Sequence, residues 1–379
     1  MSLEGLSLNE VTEQHLTALV GKLEEGLCDE FKVELKIGAD DEKKEFLRDV
    51  SAFANSAGGH LFIGMTEAGG VLSGLPGISV KSAEQTELRI QDVIQTGLEP
   101  SIPGLEVRAV PLSNGNVVPV IRIPQSWRSP HRVKYGSRRQ FFGRAGKKKY
   151  EMEIDVLRAA FVLSETLADR IRDFRAARIA RIVAGDEVPV RLADGPKIIL
   201  HLVPFGAFRP GVRCDLEELR DLLDRRGLRL QTLGGRAINA RRNLDGRLTF
   251  ESIRDGGTGG YCQVFRNGSI EVVDARLIGD GPIPADQIGK ALAERSVSYV
   301  QAQQKIGAQP PIMAMLTITG VRGRGVGKMH YRELEDLGEP IDRDHLIIPE
   351  EMVKSFESDV TAVLQELMKM VWEAANYPV

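Results

Sequence analysis

Cysteine is scarce: Cys28, Cys214 and Cys262 are the only three in 379 residues, widely separated and without a C-x-x-C pair. That supports neither a disulfide framework nor a structural zinc site, and a reducing compartment is the simplest home for the chain. No apolar run reaches 18 residues, which excludes a transmembrane helix. The stretch from Met1 to Glu13 is acidic and lacks the apolar centre of a secretory signal. A cytoplasmic protein without membrane contact is therefore expected. Six histidines occur without H-E-x-x-H or H-x-H spacing, no G-x-S-x-G elbow is present, and no cysteine stands beside a histidine base, which disfavours zinc and acyl-transfer chemistry. The nearest approach to a phosphate-binding loop is Arg322-Gly323-Arg324-Gly325-Val326-Gly327-Lys328-Met329. It lacks the first glycine of G-x-x-x-x-G-K-[ST] and ends in Met, so both the backbone cradle and the Mg²⁺-binding hydroxyl are missing and no ATP is expected.

The most informative absence is local. Residues 107–150 contain no Asp or Glu, yet hold Arg108, Arg122, Arg128, Arg132, Lys134, Arg138, Arg139, Arg144, Lys147, Lys148 and Lys149. Eleven cations without an acid repel one another unless anions neutralise them, and phosphates are the usual anions. Residues 1–50 are the counterpart, with 13 acids against 6 Lys and Arg. Two readings stand open: a polyanion-binding surface, or a surface neutralised after folding by those first 50 residues.

What is present is an ordinary globular composition, 42% hydrophobic and 27% charged with a net charge of −3, which suits about two domains. A short helix is expected over 14–26. Phe31, Val33, Leu35 and Ile37 then alternate with Glu30, Lys32, Glu34 and Lys36, a period-two strand with one apolar face. A helix over 42–57 ends at Gly58-Gly59, and His60–Met65 reads as a buried strand entering a Gly69-Gly70 hairpin. A helix at 82–97, strands at 105–111, 117–123 and 140–144, and a basic loop from Pro124 to Arg139 follow. A polar helix over 152–184 bridges to a second half. There, strands are expected at 197–203, 247–253, 260–266, 269–277 and 311–320, with helices at 215–225, 284–306 and 350–375. The class is α+β, as two lobes with mixed or antiparallel sheets, divided as 14–150, a bridging helix 151–186, a second lobe 190–330, and a closing segment 331–379.

The run Val33-Glu34-Leu35-Lys36, followed by Arg48-Asp49-Val50-Ser51-Ala52-Phe53-Ala54-Asn55-Ser56-Ala57-Gly58-Gly59-His60-Leu61-Phe62-Ile63-Gly64-Met65, resembles the AlbA_2 domain of the Schlafen family. Its hallmark is E-x-K, a helix, A-F-x-N-x-x-G-G-x-L-x-x-G-v and a glycine hairpin. Pro130-His131-Arg132 and Phe141-Phe142-Gly143-Arg144-Ala145-Gly146 are similar to that domain's closing motifs. The resemblance covers about residues 20–160; residues 190–330 resemble, more weakly, the companion region of bacterial proteins carrying this domain.

The resemblance implies three acids around a divalent cation, Mg²⁺ or Mn²⁺, falling on Asp29, Glu34 and Glu67 as metal ligands and catalytic residues of an endoribonuclease acting on structured RNA such as tRNA. Asp29 stands where family nucleases carry Glu, and Glu67 where they carry Asp. Asp29 and Glu34 also differ by five, so a shared site needs Asp29 to precede the strand; Glu30, on the parity of Glu34, is the alternative. Arg128, His131, Arg132, Lys134, Arg138, Arg139, Arg144, Lys147, Lys148 and Lys149 are the expected nucleic-acid contacts. His131 and Asn55 each admit a structural reading too, as a loop histidine and a cap. Arg225, Arg226, Arg229, Arg236, Arg241, Arg242 and Arg247 form a second basic group. The alternatives are a regulator that binds DNA or RNA without chemistry, and a protein-interaction component of a defence or stress system, as a homo-oligomer or with an acidic partner.

Overall fold

The structure, a computed structural model, describes residues 3, 6–134, 139–209, 212–219, 230–235, 239–252, 257–330 and 333–377. The chain divides into two compact units, Met1–Ala168 and Asp169–Val379. The division falls inside one 31-residue helix.

The first unit contains α1 (Glu13–Thr17), β1 (Asp29–Lys32), α2 (Asp40–Ala54), β2 (Gly59–Ile63), β3 (Thr66–Ala68), β4 (Val71–Gly74), α3 (Ala83–Gly97), β5 (Leu98–Glu99), β6 (Glu106–Pro111), β7 (Val117–Ile123), β8 (Arg132–Val133), β9 (Gln140–Ala145), β10 (Lys148–Glu151) and the start of α4 (Ile154–Ala184). One sheet runs β1-β2-β7-β6, with β1 parallel to β2 and the other pairs antiparallel; a second, antiparallel throughout, runs β10-β9-β8-β5. Helix α2 forms because Phe46, Leu47, Val50, Phe53 and Ala54 make one apolar stripe, which packs with Leu61, Ile63, Ile90, Ile94 and Phe142. Its start is fixed by the Glu42 carboxylate, which accepts from the Gly38 and Ala39 amides at 2.9 and 3.0 Å. At its other end, Gly58 at φ +73° accommodates the left-handed exit. Gly59 (φ +145°) lies so close to the Cys28 carbonyl that a Cβ would collide with it. The double glycine therefore lets β2 come beside the start of β1.

The second unit contains the rest of α4, β11 (Lys197–Pro204), β12 (Asn239–Arg242), β13 (Gly246–Ser252), β14 (Thr258–Phe265), β15 (Ile270–Asp274), β16 (Ile283–Pro284), α5 (Ala285–Lys305), β17 (Ile312–Thr319), β18 (Val326–His330), β19 (Glu333–Leu337), β20 (His345–Ile347), β21 (Glu351–Val353) and α6 (Val360–Glu373). An eight-stranded sheet runs β12-β13-β14-β15-β11-β17-β20, with β21 also on β17; β16, β18 and β19 form a small separate sheet. Strands β11 and β17 are buried on both faces. Ile198, Leu200 and Leu202 pack with Ile288, Leu292, Leu364 and Leu367 of α5 and α6. Ile199 lies on the opposite parity, with Ile179 and Ile182 of α4.

The α+β class is as expected, but some elements differ. β1 stops at Lys32, and residues 33–34 bend, so the alternation through Ile37 is not one strand: Val33 is exposed while Glu30 is buried. The helix expected over 14–26 is one turn, Glu13–Thr17, because Gly21 (φ +73°) diverts the chain into contact with β4. Of the helix expected at 215–225, Leu216–Leu219 form a 3₁₀ turn, and 220–229 lie outside the described residues. The helix expected from 350 starts at Val360, capped by the Asp359 carboxylate on the Thr361 and Ala362 amides (2.9 and 3.2 Å). Before it, Glu351–Val353 pair with β17 instead. No helix among the described residues is long and apolar enough to cross a membrane.

Candidate nucleic-acid interface

Folding splits the cations of the acid-free segment into two sets, apart from Arg108, which is half-buried and donates to the Asn9 side-chain oxygen at 3.5 Å. One set is consumed internally. Arg122 donates to the Glu106 carboxylate at 3.5 Å, to the His60 ring at 3.2 Å and to the Leu3 carbonyl at 3.2 Å. Arg132 grips Glu99 at 2.6 and 3.0 Å, which holds that carboxyl below its usual range. Arg144 is buried, paired with Glu30 and bonded to the Gly26 carbonyl at 2.8 and 3.0 Å, with its guanidinium 4.4 Å from the Phe53 ring centre. Lys149 pairs with Asp49 and, at 2.6 Å, with Glu45. The second set, Arg128, Lys134, Arg139, Lys147 and Lys148, is exposed and makes no ion pair with a described carboxylate. Arg138 lies outside the described residues.

The internal set builds a charge ladder under the β9–β10 hairpin. Lys32 lies 2.5 Å from Glu30 and 3.4 Å from Asp49. Burial acts to raise the Glu30 pKa, but Lys32 and Arg144 outweigh it and hold the carboxyl low. Asp49 goes the other way: burial and then the Glu30 charge push it up against the pull of Lys149 and Lys32. Lys32, enclosed by both carboxylates, is held above its ordinary value despite its own desolvation.

Asn55 and His131 turn out to be structural partners. The His131 amide donates to the Asn55 side-chain oxygen (2.6 Å), while the Asn55 amide nitrogen donates to the His131 and Phe142 carbonyls (2.9 Å each). The His131 ring is fully buried, with Nδ1 2.7 Å from the Pro100 carbonyl. Ser56 accepts from the Arg144 amide at 2.8 Å. The end of α2 thus staples the closing strands, and His131 and Arg144 are corrected from phosphate contacts to internal supports. Arg132 and Lys149 move the same way, because Glu99, Asp49 and Glu45 already neutralise them. Asn55→Ala removes three hydrogen bonds to main-chain groups and is expected to lower stability by about 2–3 kcal/mol, measured by urea unfolding.

The expected carboxylates are dispersed. Asp29 opens β1, 3.4 Å from His60 Nδ1. Glu34 lies beyond the opposite end of β1, exposed and 3.4 Å from Lys36. Glu67 is on the β3–β4 hairpin, where its carboxylate accepts the Gly70 amide. No group of three or more His, Cys, Asp or Glu side chains among the described residues is placed to hold a metal ion. Asp29, Glu34 and Glu67 thus do not form such a group. Because β1 is 29–32, the E-x-K within the strand is Glu30-Phe31-Lys32, not Glu34-Leu35-Lys36. Glu25 also reaches the β3–β4 turn, through its main chain: its amide donates to the Gly70 carbonyl (2.8 Å), while its carboxylate accepts the Phe31 amide (3.1 Å).

A cavity of about 690 Å³ lies at the end of β1 against α2. Glu34, Asp41, Glu42, Glu45 and Asp49 line it against only Lys32 and Lys36, around Val33, Phe46 and Ile63. That charge balance repels phosphate, so the cavity is separate in character from the exposed cations.

In the second unit, Arg241 donates to the Pro189 carbonyl (2.5 Å), and Arg242 and Arg247 share Glu217 at 2.6 and 3.3 Å; Arg225, Arg226, Arg229 and Arg236 lie outside the described residues. In the loop that leads into β18, Arg322 donates to the Asp342 carbonyl, and Arg324 to the Gly279 and Gly281 carbonyls, at 2.7–2.8 Å. The loop's arginines tie the fold together.

Residues 29–153 match the family model described as Schlafen, AlbA_2. No curated protein matches the chain. Among solved structures, the crystal structure of the DIP2311 protein from Corynebacterium diphtheriae aligns at 16% identity with a TM-score of 0.24. The alignment covers 36% of this chain and 26% of that one.

Proposed function

Residues 29–153 are a Schlafen AlbA_2 domain, and from that premise we propose that this chain is a nucleic-acid-binding protein that grips phosphates with Arg128, Lys134, Arg139, Lys147 and Lys148. The AlbA_2 domain points to a nucleic-acid-associated role. The observation that carries the residue-level reading is the split among the cations: four are neutralised internally, while these five stay exposed without an ion-paired described carboxylate. A charged side chain that forms no internal pair contributes little to the fold, but contributes fully to counterion release on a polyanion. Contacts of this kind read backbone and shape rather than base sequence.

Filter binding of the full chain to tRNA and to duplex DNA tests this. Affinity is expected to fall steeply between 50 and 200 mM salt, with a log–log slope of about −0.9 per phosphate contact on duplex DNA, hence about −3 to −5 for three to five contacts. Absence of binding to both at low salt would remove the reading. Cleavage is not part of the proposal, because Asp29, Glu34 and Glu67 stand apart. In total RNA with Mg²⁺ or Mn²⁺, wild type and Glu34→Ala are both expected to leave the RNA intact.

A further inference from the structure

The β9–β10 hairpin has two faces of opposite character. Phe142 turns inward to the core, Arg144 to Glu30, and Lys149 to Asp49. The residues of the other parity, Phe141 and Gly143 on β9 with Lys148 and Tyr150 on β10, share the outer face. Tyr150 stands directly opposite Gly143 in the register. A Cβ at Gly143 would lie 2.8 Å from the Tyr150 ring, so the ring rests on the glycine. Gly143 lies within β9 and outside the set of glycines at positive φ. What excludes a side chain there is therefore the ring and not the backbone.

Tyr150 has one side against the sheet, yet is 41% exposed. Covering a strand glycine with an aromatic ring is a way of supporting a sheet, and it leaves the rest of the ring open. A second open ring is close by. Phe161 of α4, 47% exposed, meets Phe141 edge-on, with centroids 6.1 Å apart and planes at 78°. Lys148 is exposed on the same face, two residues before Tyr150 and hence about 7 Å along the strand. Lys147 and Lys148, next to the ring in the chain, make no ion pair with a described carboxylate, so the charge here selects a polyanion over an apolar protein surface.

We propose that the outer face of the β9–β10 hairpin is a stacking platform for an unpaired base of a nucleic acid, with the Tyr150 ring beneath the base and Lys148 beside its phosphate. This rests on the nucleic-acid reading above and deepens it from phosphate contact to ligand class. Unpaired bases stack on aromatic side chains whatever their sequence, whereas bases inside a duplex are already stacked on one another.

The test measures fluorescence anisotropy of three labelled probes with the full chain: a single-stranded DNA oligonucleotide, the duplex of the same sequence, and an abasic strand of the same length. The abasic strand keeps the phosphates and lacks the bases. Wild type is expected to bind the single strand about tenfold tighter than the abasic strand. Tyr150→Leu keeps an apolar cover over Gly143 and removes the ring; it should abolish that preference while leaving the abasic strand and the duplex within about twofold of wild type. Its salt slope stays unchanged, because no cation is lost. Tyr150→Phe retains the preference. Lys148→Met keeps the preference and lowers the single-strand salt slope by about 0.7. The ratio of single-strand to abasic affinity is taken within each variant, so partial unfolding of Tyr150→Leu does not alter it. The inference is overturned if wild type binds the two strands equally, or if Tyr150→Leu keeps the wild-type ratio. Either result, with binding itself intact, refutes the platform alone, whereas a wild type that binds none of the three probes at low salt refutes the broader reading with it.

Discussion

Glu271→Gln is expected to destabilise the second unit by about 3–5 kcal/mol at neutral pH, the cost of removing one member of a buried ion pair. Glu271 on β15 is fully buried. Arg178 of α4 reaches it with two hydrogen bonds of 2.8 Å, His201 of β11 with one of 2.9 Å, and the Tyr261 hydroxyl of β14 with one of 2.7 Å. Burial acts to raise its pKa, but the Arg178 and His201 contacts dominate and bring it from 4.5 to about 2. Glutamine preserves the shape but leaves the Arg178 cation buried without its counter-charge. The pH dependence has a definite sign. A carboxyl whose folded pKa is depressed contributes stability that is complete above about 4.5 and lost as pH falls towards 2. Wild type and variant should thus differ most at pH 7 and converge below pH 4. Urea unfolding of the full chain at pH 7 and pH 3 reads both effects. A variant within 1 kcal/mol of wild type at pH 7 would show that the quartet does not hold the sheet to α4.

Arg144→Met is the corresponding lesion in the first unit, with an expected loss of about 3–5 kcal/mol. It removes the pair with Glu30, two bonds to the Gly26 carbonyl and the stack on Phe53. Glu30 is then left in a site only 8% exposed, with Lys32 as its remaining cation. Because the same guanidinium ties β9 to the entry of β1, nucleic-acid binding should also fall, through displacement of Lys147 and Lys148. Lys148→Met is the control. Its side chain is exposed and makes no ion pair with a described carboxylate, so stability should change by less than about 0.5 kcal/mol while binding weakens. Thermal unfolding and filter binding on the same preparations separate the two effects. Equal stability losses for Arg144→Met and Lys148→Met would abolish the distinction between supporting and contacting cations.

That distinction is where sequence and structure part company. Arg144, Lys147, Lys148 and Lys149 are alike in one dimension, a basic run without acids. Which of them meets Glu30, Asp49 or Glu45 depends on partners about 100 residues away in sequence, brought near only when β9 and β10 fold against β1 and α2. The carboxylates failed for a related reason. Alternation from Glu30 to Lys36 reads as a single strand, but the chain bends after Lys32. That exchanges the E-x-K in the strand from Glu34 to Glu30 and leaves Glu34 at the far end of β1 from Asp29. His131 shows the same limit: nothing about Pro130-His131-Arg132 reveals that Asn55 clamps its backbone.

Periodicity and punctuation alone determined the α+β class, the Asn55-Ser56-Ala57-Gly58-Gly59 exit from α2 and the strand that follows it, while the ordered motif around that exit carries the AlbA_2 resemblance. These rest on interactions between near neighbours, whose spacing is written directly into the chain: helix stripes, caps, and glycines at positive φ. Only the tertiary structure decided which cations pair with internal carboxylates, that Glu34 lies exposed beside Lys36 at the far end of β1, and that Glu271 lies at the centre of a buried quartet. Those outcomes depend on desolvation and on charges meeting across long loops, and the energy of a charge is set by its surroundings in space.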